Sequence, residues 1–157
     1  MSIREQLVFD NNVFYGGVSL GTETNTDNDN ATLAKNALVF MAVAINKGWK
    51  VPLGYFLIKS LTGNERANLL NKCLQLLYET GARVYSVTVD GAPVNMSMCT
   101  TLGAHFTYGS NFKPYFSHPI INYILNLKDI SGTPIIESNR KTGFLGLIIC
   151  LTYISFI

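Results

Sequence analysis

The chain has 157 residues, enough for one domain with a real core. Apolar residues make up 48% and charged residues 14%, a greasier balance than most soluble domains carry, so much of the chain is expected to be covered. The net charge of +2 is compatible with a phosphate-bearing partner, but without a Lys/Arg-rich run it does not argue for one.

Residues 3–20 contain a run of β-formers, Val13-Phe14-Tyr15, and read as a β-hairpin turning at Asp10-Asn11-Asn12. Residues 21–32, GTETNTDNDNAT, are polar and without apolar periodicity, which predicts an exposed loop. Glu23, Asp27 and Asp29 give it a calcium-like look, but the Glu that closes an EF-hand loop is missing, so the solvated reading is preferred. Two apolar runs follow, residues 37–45 and 49–58, linked by Asn46-Lys47-Gly48. They predict a hairpin of long strands, with Pro52 at an edge or bulge.

Residues 62–80 carry the best helical spacing, with Ala67, Leu70, Cys73 or Leu74, Leu77 and Tyr78 on one face. Thr62 and Glu65 stand at capping-box spacing, and Gly81 supplies the C-terminal stop. Residues 83–89, RVYSVTV, alternate and are β-branched, so they predict a strand, closed by Asp90-Gly91. Residues 93–102 suit a short helix ended by Gly103. Beyond residue 104 the pattern degrades: 105–119 is broken by Pro and Gly, 120–130 suits a strand or a short helix, and 131–142 is loop-like.

Residues 143–157, GFLGLIICLTYISFI, carry no charge but fall short of the ~20 residues of a membrane-spanning helix. A core helix or strand cut short is preferred to a membrane anchor. No secretory leader is visible, because Arg4 and Glu5 interrupt where its apolar stretch would begin. Cys73, Cys99 and Cys150 are far apart and odd in number, which argues against a zinc site or a disulfide framework. His105 and His118 lack partners at ligand spacing and read as structural or exposed. Lys47, Trp49 and Lys50 could form an aromatic-basic contact with DNA, although the half-buried end of a hairpin is the simpler reading. No phosphate-cradling glycine motif and no catalytic triad are readable.

Hairpin, loop, hairpin, helix, strand, helix is the order of a mixed α/β sheet with flanking helices, and it matches the RNase H-like fold. The chemistry then centres on Asp90. A carboxylate just past the end of a buried strand has a fixed backbone behind it and open space ahead, which suits a hard cation such as Mg²⁺. The plainer alternative is that Asp90 only starts a turn or caps the next helix, as Asp-Gly pairs commonly do.

Four stretches carry a resemblance: Met1-Ser2-Ile3-Arg4, residues 37–58 (ALVFMAVAINKGWKVPLGYFLI), residues 87–95 (VTVDGAPVN) and residues 138–146 (SNRKTGFLG). Together they resemble the P-element transposases and their THAP-domain-containing vertebrate relatives. The resemblance implies a nuclear, RNase H-like catalytic domain that cuts and joins DNA with Mg²⁺ held by three acidic residues, interrupted by a GTP-binding insertion. The second acid lies in the motif matched by Val89-Asp90-Gly91-Ala92, so the resemblance assigns metal binding and catalysis to Asp90.

Its other parts do not carry over. The first acid of the family precedes the stretch matching Met1-Ser2-Ile3-Arg4, and Asp10 is no substitute for it. The third acid, a Glu, lies beyond the stretch matching Lys141-Thr142-Gly143-Phe144-Leu145-Gly146, and Glu137 falls upstream of it. The Asp-x-Cys-His stretch that opens the GTP-binding insertion has no match. The expected division is therefore 1–104 as the early part of an incomplete RNase H-like domain, 105–122 as a junction where the insertion is missing, and 123–157 as a late-domain segment.

Two functions compete. One is a DNA-cleaving and strand-joining enzyme. The other is a non-catalytic derivative that binds DNA or protein, or interferes by self-association. One carboxylate cannot hold two Mg²⁺ ions, so the second is preferred for this chain alone. No small-molecule substrate is evident. An incomplete sheet is also expected to expose an edge and apolar surface, and so to misfold or aggregate.

Overall fold

A computed structural model describes residues 2–11, 13–20, 32–45, 48–107, 109 and 111–128, together with the strand at 146–154. Strands β1 (Val8–Asp10) and β2 (Val13–Tyr15) pair antiparallel, with Asp10 opposite Val13. Asn11 adopts φ 47°, a left-handed conformation that Asn tolerates in tight turns. The two apolar runs form β3 (Asn36–Ala44) and β4 (Lys50–Ile58), an antiparallel pair. Its register slips where Phe40 faces Gly54 and Met41 faces Pro52, so the proline lies at a bulge on an edge strand, as its missing N–H requires.

Helix α1 (Gly63–Glu79) opens on the expected capping box. The Thr62 backbone N–H donates to Glu65 Oε2 at 2.7 Å, and the Glu65 N–H donates to Thr62 Oγ1 at 3.3 Å. Gly81, at φ 78°, reverses the chain after it. Ala67, Leu70, Leu74 and Leu77 are buried on α1, whereas Tyr78 turns outward and is 41% exposed.

The chain then enters β5 (Ala82–Val89) and α2 (Pro93–Thr101), which Gly103 ends at φ 97°. The alternation read along β5 holds only in its first half, because Ser86, Val87, Thr88 and Val89 are all buried. An interior strand covered on both faces has no polar side, so period two disappears from its burial. Strands β6 (Tyr115–Ser117) and β7 (Ile124–Lys128) follow, the latter settling the strand-or-helix ambiguity of residues 120–130.

The last strand, β8 (Gly146–Ile154), settles the helix-or-strand alternative of the C-terminal run as a strand. Six strands run in the order β4-β3-β8-β5-β7-β6, with β8 parallel to β3 and antiparallel to β5. Residues 146–154 of the uncharged C-terminal run therefore lie in the middle of the sheet, where both of their edges are paired. The outer edges are β4 and β6. Part of the β4 edge is covered by Ser19, whose N–H and C=O exchange hydrogen bonds with Leu57 at 2.8 and 3.1 Å.

One core joins Leu38, Phe40 and Ile58 of the first hairpin to Leu70 and Leu74 of α1, Val84, Val87 and Val89 of β5, and Phe116, Leu125 and Leu127 farther on. Exposed apolar surface includes the β1–β2 hairpin, where Phe9 and Phe14 are 59% and 61% exposed and touch as tilted rings with centroids 4.7 Å apart. Among the described residues no helix is long and apolar enough to cross a membrane. The acidic loop with Glu23, Asp27 and Asp29, the stretch 131–142 and Glu137 lie outside the described residues, as does Lys47.

Candidate carboxylate site

The apolar residues of β5 deliver the chain to Asp90 inside the core, and α2 begins three residues later at Pro93. Asp90 is 3% exposed. Its Oδ1 accepts from the Ala92 N–H at 3.1 Å and from Asn95 Nδ2 at 2.6 Å. The first contact is the aspartate turn that the plainer reading anticipated, and it shapes the entry to α2, whose N-cap Ala92 has no side-chain acceptor of its own.

The second contact belongs to a longer chain of bonds. Asn95 Oδ1 accepts from Arg66 Nη1 at 2.8 Å, and both residues are buried, at 4% and 5% exposure. Burial lowers the pKa of the Arg66 guanidinium, and the negative charge of Asp90 opposes that shift. Arg66 Nε is buried with no hydrogen-bond partner. Arg66 and Asn95 were not singled out from the sequence. The available signal was a charged residue at position 66, within the apolar stripe that runs through Ala67, Leu70, Leu74 and Leu77.

The other candidates are dispersed. Asp10 is exposed on β1. His105 is exposed, whereas His118 is buried between aromatic rings. Trp49 packs partly buried against the core, and Lys50 is exposed. The concave patch near His105 is lined by Asn111, Lys113 and Tyr115 and holds no carboxylate. Cys73 and Cys99 are free thiols, and burial pushes their pKa values up to about 11 and about 12, so neither is an activated nucleophile.

A hard divalent cation takes oxygen ligands from several groups. Among the described residues no three His, Cys, Asp or Glu side chains converge on one point. At Asp90, Oδ1 already accepts two N–H donors, and a guanidinium lies one hydrogen-bonded residue away. The described residues do not, by themselves, make a Mg²⁺ site.

The fold and this corner define a class: a mixed α/β sheet with two helices and a buried carboxylate beyond an interior strand. The chain belongs to the TNP-like, RNase H N-terminal domain family, which matches residues 1–103. It is 32% identical over 121 residues to DNA transposase THAP9 of Homo sapiens, covering 76% of this chain and 13% of that protein. The chain is thus related to THAP-type transposases while spanning a small part of that relative's length. No solved structure matches it.

Proposed function

We propose that this chain is a non-catalytic derivative of an RNase H-like transposase domain, acting in the nucleus through contact with DNA or with other protein chains. Family membership supports the transposase origin. The observation that carries the non-catalytic half of the reading is the lack of a ligand cluster around Asp90 among the described residues. Cutting DNA with two metal ions needs carboxylates from several strands to hold both ions, and among the described residues no three His, Cys, Asp or Glu side chains come together. Residues 1–104 are the early part of the domain, 105–122 the junction at which the family's GTP-binding insertion is missing, and 123–157 a late segment.

The exposed aromatic hairpin favours protein contact, including self-association, over DNA as the main partner. Its Phe9, Phe14 and Tyr15 rings lie in water, and the chain's net charge of +2 supplies little attraction for phosphate.

The test is direct. Purified chain is incubated with supercoiled plasmid in Mg²⁺ or Mn²⁺, and wild type and Asp90→Ala are both expected to leave the plasmid intact. Metal-dependent nicking that disappears in Asp90→Ala would overturn the proposal.

A further inference from the structure

We propose that Asp90 is here one end of a metal-independent clamp, in which the Arg66 guanidinium, acting through Asn95, balances the carboxylate that a divalent cation would otherwise balance. This goes beyond the non-catalytic reading and does not rest on it, because it needs only the groups at this corner.

Three side chains that are individually costly to bury are buried together, at 3, 4 and 5% exposure for Asp90, Asn95 and Arg66. Such groups persist in a core when they are hydrogen-bonded and their charges cancel. The charges cancel, and each of the three side chains is hydrogen-bonded, although Arg66 Nε is left without a partner. Arg66 donates to Asn95 at 2.8 Å, Asn95 donates to Asp90 at 2.6 Å, and the Ala92 N–H adds a third bond at 3.1 Å. The amide suits the middle position because it accepts with one end and donates with the other.

Formal charge decides between the clamp and a metal centre. A guanidinium and a carboxylate sum to zero. Adding a dication to that pair would leave a buried double positive charge, and among the described residues no cluster of three His, Cys, Asp or Glu side chains is there to hold it.

The clamp also has a mechanical place. Arg66 belongs to α1, Asp90 follows β5, and Asn95 lies in the first turn of α2. The two helices touch closely beside it. A Cβ added to Gly63 would lie 2.7 Å from Ser97 Cβ and 2.8 Å from the Met98 nitrogen. Thr101 Oγ1 also donates to Asn64 Oδ1 at 2.8 Å. The ionic chain thus ties together three elements that meet at one point.

The experiment is thermal unfolding of the full chain in EDTA and in millimolar MgCl₂ or MnCl₂, with no DNA present. The midpoint is expected to be the same in all three. Arg66→Met and Asp90→Asn are each expected to lower it, and the double variant to lose less than the sum of the two. The coupling should be roughly tenfold in the unfolding equilibrium constant.

A metal-dependent rise in the midpoint that Asp90→Asn abolishes would overturn the proposal, as would strict additivity. If a variant fails to fold, Mn²⁺ enhancement of water-proton relaxation on the wild-type chain still decides: ion bound at millimolar concentration or tighter overturns the clamp, and none supports it. Metal binding without nicking would sink this inference and leave the non-catalytic reading standing.

Discussion

His118 is held between two tyrosine rings, with centroids 4.9 Å from Tyr123 and 5.9 Å from Tyr78. Its Nδ1 accepts from the Ile120 N–H at 3.2 Å, which fixes the neutral ring with its proton on Nε2. Burial lowers the His118 pKa, and the Leu74 carbonyl opposes this without reversing it. Arg83 lies over the Tyr123 ring, its guanidinium carbon 5.7 Å from the centroid. The sign follows from linkage. A histidine with a depressed folded-state pKa takes up its proton more readily when unfolded, so its contribution is fully present above the ordinary histidine range and is lost as pH falls through it. The urea midpoint is therefore expected to be flat from pH 8 to about 7 and to drop towards pH 5. His118→Phe should flatten that drop, and an equal drop in the variant would show that another group is responsible.

At the scale of single elements, α1 is the best test of what local sequence dictates. Its cap and its stop were legible, and so was its apolar stripe except at Tyr78, which turns outward. Thr62→Ala removes the cap acceptor and is expected to cost about 1 kcal/mol. Leu70→Ala, at a fully buried position, is expected to cost about 2–5 kcal/mol. Equilibrium denaturation in urea checks both, and the reverse order would contradict the packing described. Strands β3, β4 and β5 were equally legible, because long apolar runs bounded by turn residues have few other readings. Strands β6 and β7 were not. They are three and five residues long, beside a Pro- and Gly-broken stretch, and their pairing partners are set by tertiary contact. At the site, Asp90 was legible as an acid at a strand end. Its partners Arg66 and Asn95 were not, because a buried ionic chain between residues 29 positions apart leaves no local period to read.

Over the whole molecule, β8 decides whether the six-stranded sheet is one piece. It joins the β3–β4 hairpin to the β5–β7–β6 group, bonded to each. Ile148 pairs with Met41 on one side and Thr88 on the other. Ile148→Pro removes a backbone donor from the middle of the sheet and is expected to abolish cooperative unfolding, followed by circular dichroism. Persistence of a single sharp transition would mean that the halves hold together without this strand. From the sequence this run read as a core helix or strand, and its central place was not legible, because that depends on what β3 and β5 leave unpaired.

That place has a consequence for synthesis. A ribosome delivers β3, α1 and β5 well before the residues that belong between β3 and β5. At roughly 5–20 residues per second, the nascent chain waits about 3–13 seconds after β5 before β8 is made. Through that interval the flanks of two buried strands have no partner, so the final sheet forms only as a late, long-range closure, and a chaperone has its window there.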